Sequence, residues 1–349
     1  MNVSEFVTKV ANPYFSPHIG NLSDISDDFL KSSIKFAVKN KVFSLFYDGC
    51  SKLRIHLPRE AELLKDVYEK RKRVQMEAIS LLLSISEELD IEIMFFKTFK
   101  PFRYIPDDID ILLRNEKDFK PLINRLRKEG YFILKVGTPE VVLRKIEEDS
   151  YVDIDIHKRL AVGHLDLFRV ENLWQKHANE TFKLDNGRVA LKLSEDYEIV
   201  REAAYSLLKD FHLSIPGLYL GINAIMNQRL ANIEKIAAKW NLLSHLYLYL
   251  YSVHYITHKL FKHDESKTQL LFQKKDLPTI PFKLVDKQLR KRLKLPYRYP
   301  ILVIIWAYTV KVRAETSQNR NIAALSQLMK QPSSKGVGIL LEYVRGYFH

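Results

Sequence analysis

The sequence predicts an α+β fold in which a small mixed β-sheet is flanked by an N-terminal helical segment and a C-terminal helical domain. Glycine is scarce, with 11 residues among 349, and long runs of Leu, Ile, Lys and Glu favour helices. The hydrophobic spacing changes to a strand period near Ile91 and returns to a helical period after Leu193. We therefore predict an N-terminal segment at 1–90, a core at 91–193 and a helical domain at 194–349.

Two helical patterns dominate the N-terminal segment. Residues 24–46 carry apolar side chains at near-helical spacing, and Pro58 is placed to open a long helix that continues through Leu89. Proline is tolerated there because the first turn of a helix has unpaired N–H groups in any case. The apolar positions of the long helix form one broad stripe, so we expect this stripe to pack on the core.

The core is predicted to contain five strands and one helix. Residues 91–96 and 109–113 are short β-rich runs, and residues 119–129 form an amphipathic helix that ends at Gly130. The remaining strands are expected at 131–136, 141–146 and 151–157. This order of elements is typical of a mixed sheet with a helix on one side. Beyond it, Ser194 resembles a helix start, and Lys311 and Arg313 of a later helix are predicted to face solvent.

Composition limits the possible partners. The net charge of +13 favours phosphate-bearing partners such as an NTP, a nucleic acid or an anionic surface. Cys50 is the single cysteine, so an internal disulfide and a cysteine zinc cage are excluded, and we expect a buried, inert thiol. No apolar run reaches the roughly 18 residues of a membrane span, and the N-terminus does not resemble an export signal. We predict a cytoplasmic protein without a membrane partner.

Acidic residues recur at alternate positions on two predicted strands. Asp108 and Asp110 would project from one face of the first strand, and Asp153, Asp155 and His157 from one face of the second. Carboxylates held side by side repel one another unless a cation lies between them, and Mg²⁺ suits such oxygen ligands. If the strands are neighbours, Asp155 or Asp153 would complete a three-carboxylate site. Alternating aspartates that face solvent are the other interpretation.

The run from residue 95 to residue 160 resembles the DNA polymerase beta-like nucleotidyltransferase superfamily. It is most similar to the uncharacterised bacterial and archaeal nucleotidyltransferase family. The matching motifs are Phe96-Lys97-Thr98, Asp108-Ile109-Asp110, Gly130-Tyr131 and Asp155-Ile156-His157. The resemblance implies an enzyme that moves an NMP from an NTP to a protein, an RNA end or a small molecule. Toxins of toxin–antitoxin pairs are among the variants of this superfamily.

The resemblance also implies roles for individual residues. Asp108, Asp110 and Asp155 would be the catalytic ligands of Mg²⁺ (or Mn²⁺), with Asp153 as the alternative third carboxylate. His157 would contact the substrate or support a metal ligand, or would be a structural histidine. The family has glycine in its phosphate-binding turn, where this chain has Thr98 and Phe99. Expected NTP-binding side chains are therefore Lys97, Thr98, Lys100 and Arg103.

A basic cluster lies far from these motifs in the sequence. Its members are Lys283, Lys287, Arg290, Lys291, Arg292, Lys294 and Arg298. Such a cluster could bind the phosphates of RNA or DNA, or it could be an ordinary solvated surface. Tyr297 and Tyr299 could likewise stack on bases or anchor a core. The alternative function is therefore a catalytically inactive nucleotidyltransferase-fold protein that binds nucleic acid through this basic patch.

Overall fold

The computed structural model describes residues 1–16, 25–137, 140–147, 150–163, 165–227, 229–262, 279–291 and 293–317. Its helices are α1 (Val3–Val10), α2 (Asp27–Lys39), α3 (Phe43–Lys52), α4 (Arg59–Leu89), α5 (Phe119–Lys128), α6 (Val170–Leu173), α7 (Glu195–Leu208), α8 (Ile215–Met226), α9 (Leu230–Lys239), α10 (Leu243–Phe261), α11 (Thr279–Lys291) and α12 (Ile301–Ser317). Its strands are β1 (Ile93–Phe96), β2 (Asp108–Leu113), β3 (Phe132–Val136), β4 (Glu140–Glu147), β5 (Ser150–His157), β6 (Ala161–Val162), β7 (Leu165–Asp166), β8 (Asn179–Lys183), β9 (Val189–Leu193), β10 (His212–Leu213) and β11 (Tyr297–Arg298). The fold is therefore of the mixed α and β kind that the sequence predicts.

The N-terminal helices differ in one respect from the predicted pattern. The run over 24–46 is divided between α2 and α3, because Asn40 ends α2 and Lys41 takes a left-handed conformation with φ 60°. The long helix is confirmed as α4, which follows Pro58 and ends at Leu89, and the next residue, Asp90, is again left-handed. Cys50 of α3 is buried, and burial raises the pKa of its thiol to about 12, as expected of an inert cysteine.

The sheet has seven strands in the order β3-β4-β5-β2-β1-β9-β8. The five predicted strands and the intervening helix α5 are all present, and Gly130, with φ 90°, follows the end of α5. The pair β8 and β9 extends the sheet beyond the prediction. Strands β2 and β5 are parallel neighbours, as are β1 and β9, whereas the other pairings are antiparallel. The parallel contact between β2 and β5 is what positions the candidate site.

Helices cover both faces of the sheet. On one face, apolar residues of α4 and α5 pack against alternate strand residues such as Ile109 and Ile154. On the other face, Phe96 and Leu112 belong to a larger core that also contains residues of α1, α3, α7, α8 and α10. Helix α7 follows β9, and its residues belong to the same core as Leu112, which lies two positions after Asp110 and therefore shares the face of the alternating aspartates.

The later helices bury several polar side chains. Tyr297 and Tyr299 are both buried in the larger core, which agrees with the anchoring interpretation of these residues. Lys311 is also buried, so its predicted solvent exposure is wrong. Its ammonium donates to the Trp240 carbonyl at 3.1 Å and to Glu315 at 2.7 Å, and these partners compensate its burial. Among the described residues, no helix combines the length and apolar character that a bilayer span requires.

Candidate active site

The register between β2 and β5 brings the alternating aspartates together. Asp108 lies opposite Asp153, and Asp110 lies opposite Asp155. Directly opposed residues of neighbouring strands project from the same face of a sheet, so all four carboxylates share one face. The intervening Ile109 is fully buried on the other face.

Asp110 is the most buried member of this group, with 1% of its side chain exposed. Its Oδ1 accepts hydrogen bonds from Lys97 Nζ at 2.5 Å and from His157 Nε2 at 2.9 Å. Burial raises the pKa of Asp110, but the Lys97 ammonium and the His157 hydrogen bond outweigh this effect and hold the pKa well below its usual range. Asp110 is therefore an ionised carboxylate with its charge compensated from within the protein.

Asp108 and Asp155 are in a different electrostatic state. Both are partly exposed, and among the described residues neither forms an ion pair. Burial and then the Asp110 carboxylate raise the pKa of Asp108, and the same causes, with Asp108 and Glu140 as further contributors, raise the pKa of Asp155 to about 7. The negative charge at these two positions is under-compensated, which is the condition that a bound cation relieves.

The donor groups lie close enough to share a metal ion. Asp110, Asp155 and His157 each offer one ligand atom, and these three atoms lie within 4.8 Å of one another. Carboxylate oxygens and an imidazole nitrogen are ordinary metal ligands, so the residues present fit a divalent cation.

Asp153 is engaged elsewhere. Its two carboxylate oxygens accept hydrogen bonds from Arg144 Nε and Nη2, each at 2.7 Å. A bidentate guanidinium pair of this kind compensates the carboxylate and fixes its orientation. Of the two candidates for the third carboxylate, Asp155 is therefore the one that joins Asp110.

The turn after β1 uses its backbone N–H groups within the protein. Lys97 has a left-handed backbone with φ 57°, and its N–H donates to Glu198 Oε1 at 2.5 Å. The N–H of Thr98 donates to the Phe96 carbonyl at 2.6 Å. The buried Thr98 hydroxyl donates to the same carbonyl and accepts the N–H of Asp110. Thr98 thus fixes β1 to β2, and its hydroxyl is engaged there and not directed at a ligand.

The three predicted cations near this turn have different surroundings. Lys97 contacts Asp110 directly, as described above. Lys100 is partly exposed, and its ammonium lies 5.7 Å from the centre of the Tyr104 ring. Burial is the main cause that lowers the pKa of Lys100. Arg103 is held away from the aspartates, because its guanidinium pairs with Asp48 at 2.9 Å and with Glu69.

Helix α7 contributes residues that the sequence analysis missed. Arg201 is 1% exposed and pairs with Glu198 at 2.8 Å and with Glu202 at 3.1 Å. Glu198 in turn accepts the Lys97 N–H, so α7 holds the turn that carries Lys97. The sequence does show that Glu198 and Arg201 are three residues apart, which is the spacing of an ion pair on a helix. This spacing does not indicate which loop the pair supports.

Two further residues near the cluster were also missed. Glu140 begins β4 opposite His157, and its Oε2 lies 3.7 Å from His157 Nδ1. Lys209 follows α7 and places its ammonium 5.0 Å from the centre of the Tyr205 ring. Burial and then the charge of Lys97 lower the pKa of Lys209, whereas the Glu140 and Asp110 carboxylates act in the opposite direction and raise it. No spacing rule relates either residue to the aspartates.

The basic cluster lies on α11 and the segment after it. Its exposed members are Lys283, Lys287, Arg290, Lys291, Lys294 and Arg298. Arg290 pairs with Asp286 on the same helix at 2.8 Å. Arg292 lies outside the described residues. Arg298 of β11 pairs in register with His212 of β10, three residues after Lys209, so the patch adjoins the chain segment that leaves α7.

Comparisons with known proteins do not assign a family. No protein-family model matches this chain, and a search among curated proteins gives no match. The likeness to nucleotidyltransferases therefore stays a prediction from the sequence motifs.

Proposed function

We propose that this protein is a nucleotidyltransferase that depends on a divalent metal ion and moves a nucleotide from an NTP to an acceptor. The observation that carries the proposal is the parallel pairing of β2 with β5, which sets Asp108, Asp110 and Asp155 on one face of the sheet. Three carboxylates in this arrangement are suited to hold a metal ion against a triphosphate.

The metal ion, Mg²⁺ or Mn²⁺, would be held by Asp108, Asp110 and Asp155. It would supply neutralisation of the phosphate charge and activation of the attacking hydroxyl. The third carboxylate, Asp155, would also be placed to accept the hydroxyl proton, since it lies opposite Asp110 on the neighbouring strand. Asp110, which the Lys97 ammonium and His157 keep ionised, provides fixed negative charge.

Side-chain ammonium groups would bind the phosphates in place of a glycine turn. The N–H groups of Lys97 and Thr98 are already bonded to Glu198 and to Phe96. Lys97 contacts Asp110, and both Lys97 and Lys100 lie near charged residues of α7, where their ammonium groups would neutralise phosphate oxygens. Lys97 would exchange its contact with Asp110 for a phosphate when the metal ion compensates Asp110.

A second candidate function is nucleic-acid binding without turnover. The observation that favours it is the exposed basic stripe on α11 that includes Lys283, Lys287 and Lys291. These residues recur at four-residue spacing and so lie along one side of the helix. The same stripe could hold an RNA acceptor for the transfer reaction.

Transfer is tested with each labelled NTP in turn, Mg²⁺ or Mn²⁺, and a single-stranded RNA as acceptor. Pyrophosphate release and labelling of the RNA or of the protein itself are both measured. We expect metal-dependent turnover that falls by at least about 100-fold in Asp108→Asn and in Asp155→Asn. Asp66→Asn, the same change at an exposed position of α4, is the matched control and should leave turnover intact.

The outcomes separate the two functions. Turnover that is equal in the unmodified protein, Asp108→Asn and Asp155→Asn would refute the transferase. Metal-independent RNA binding that weakens steeply with salt, and that is lost when Lys283 and Lys287 are both changed to Gln, would support the binding function instead.

A further inference from the structure

We propose that His157 is itself a ligand of the metal ion, that Glu140 orients it, and that the site therefore binds a nitrogen-accepting transition-metal ion such as Co²⁺ more tightly than Mg²⁺. This inference rests on the proposed function for the carboxylates that share the ion. It does not depend on which NTP or acceptor is used.

His157 is placed among the ligand groups by the sheet. It lies two residues after Asp155 on β5 and therefore projects from the same face, and its side chain is 4% exposed. One of its ring nitrogens belongs to the group of ligand atoms, with those of Asp110 and Asp155, that lie within 4.8 Å of one another. The Phe96 ring packs edge-on against the imidazole, with ring centres 4.8 Å apart, and restricts its rotation.

A carboxylate lies near the second ring nitrogen of His157. Glu140 Oε2 lies 3.7 Å from Nδ1, slightly beyond hydrogen-bond distance. Glu140 Oε1 accepts a hydrogen bond from Lys135 Nζ at 3.0 Å, so this carboxylate is held at the ring by a contact on its other oxygen. A carboxylate on the far nitrogen of a histidine ligand is the usual support of metal-bound imidazole.

Metal binding would exchange the tautomer of His157. Because the ionised Asp110 carboxylate can only accept, we assign the proton of the cation-free ring to Nε2, which donates a hydrogen bond to Asp110 Oδ1 at 2.9 Å. When Nε2 coordinates the ion through its lone pair, the single ring proton resides on Nδ1 instead and is donated to Glu140. Asp110 Oδ1 would lose that hydrogen bond and keep only its contact with the Lys97 ammonium, which the ion would displace. One proton moves between the two ring nitrogens through solvent or Glu140, and the net charge of the protein is unchanged by this exchange.

The donor set determines the selectivity. Mg²⁺ prefers oxygen ligands in octahedral geometry, whereas imidazole suits transition-metal ions such as Co²⁺, Ni²⁺ and Zn²⁺. If Asp110, Asp155 and His157 are the ligands, loss of the imidazole should weaken Co²⁺ binding strongly and Mg²⁺ binding only slightly. If the carboxylates alone bind, both ions should be insensitive to His157.

The experiment titrates the full chain, free of any polyhistidine tag, with Co²⁺ and follows visible absorbance, and then measures displacement by Mg²⁺. We expect Co²⁺ to bind at least tenfold more tightly than Mg²⁺. His157→Gln should lower the Co²⁺ affinity at least tenfold while changing the Mg²⁺ affinity by less than threefold. Glu140→Gln should lower the Co²⁺ affinity by about tenfold, which is the usual loss when the support of a ligand is removed.

His56→Gln is the matched control, because His56 is exposed on the loop after α3 and should not affect binding. If His157→Gln fails to fold by circular dichroism, Glu140→Gln alone decides the question. Unchanged Co²⁺ affinity in Glu140→Gln and in any folded His157→Gln would overturn the inference. Co²⁺ binding that needs His157 in a protein without NTP turnover would instead refute the proposed transferase and leave this inference standing.

Discussion

The ion pair between Arg201 and Glu198 gives a direct test of how α7 supports the site. Arg201 is 1% exposed and Glu198 is 6% exposed, and the two groups lie 2.8 Å apart. Arg201 also contacts Glu202 at 3.1 Å, so one guanidinium compensates two carboxylates. Replacing Arg201 by Met keeps much of the apolar volume but leaves both carboxylates without this partner.

The cost follows from burial. Removing one member of a buried ion pair typically costs about 3–5 kcal/mol, because the remaining charge stays desolvated. Glu198 is nearly as buried as Arg201, so no discount for solvent screening applies to this pair. We therefore expect Arg201→Met to lower the free energy of unfolding by about 3–5 kcal/mol.

Chemical denaturation followed by circular dichroism measures this change. The double variant Arg201→Met with Glu198→Gln should regain about 1–3 kcal/mol relative to the sum of the single variants, because no unpaired charge remains at Glu198. Arg73→Met on the exposed side of α4 is the control, with an expected change within about 0.5 kcal/mol. A loss below about 1 kcal/mol in Arg201→Met, or strict additivity in the double variant, would refute the reasoning.

Three further predictions concern the metal site, pH and packing. Lys97→Met should raise Co²⁺ affinity by about tenfold, because the ammonium competes with the ion for Asp110 Oδ1, and titration measures this. Burial, then the charge of Lys311, lowers the pKa of His245 from 6.5 to about 4. The unfolded chain therefore binds more protons in this range, and the free energy of unfolding should fall by up to about 1.4 kcal/mol per pH unit from pH 6.5 down to 4. Gly49→Ala should cost about 1–3 kcal/mol in urea denaturation, because its Cβ would overlap the Val10 carbonyl oxygen.

A specific result would contradict each of these three predictions. If Lys97→Met binds Co²⁺ no better than the unmodified protein, the Lys97 ammonium does not compete with the ion for Asp110, and the first prediction is wrong. His245→Gln, which keeps a donor for the Ala307 carbonyl, should flatten the pH slope, and an unchanged slope would assign it to other groups. Ser51→Ala on the exposed side of α3 is the control for Gly49→Ala, and equal losses in the two would contradict the overlap.

The sequence could predict which side chains share a face but not which strands are neighbours. The two-residue period of Asp108 and Asp110, and of Asp155 and His157, follows from strand geometry alone. The pairing of β2 with β5 depends on contacts between residues more than forty positions apart, and no local pattern records it. The same limit explains why β8 and β9 were missed, since β8 alternates weakly and is stabilised by its pairing.

Charged residues were the least predictable part of the site. Lys97 and Arg103 are both basic residues that precede Asp108 in the same segment. Lys97 contacts Asp110, whereas Arg103 pairs with Asp48 on α3. Lys311 is a lysine on a helix, where solvent exposure is the ordinary expectation, but it lies in the core with Glu315 as a partner. Such differences depend on tertiary contacts, because a charged side chain can be buried only where a partner of opposite charge compensates it.

The contacts of the Lys97 turn imply a rigid backbone with one movable charge. Glu198 holds the N–H of Lys97, and the Thr98 hydroxyl accepts the N–H of Asp110, so both strands keep their positions at the cluster. The Lys97 side chain, in contrast, is 21% exposed and is bound through its terminal ammonium. Exchange of that ammonium for a metal ion therefore needs rotation of the Lys97 side chain but no movement of the backbone of the turn. Helix α7 thus acts on the carboxylates by holding the backbone of the Lys97 turn, and a variant that loosens α7 should weaken metal binding without altering any ligand.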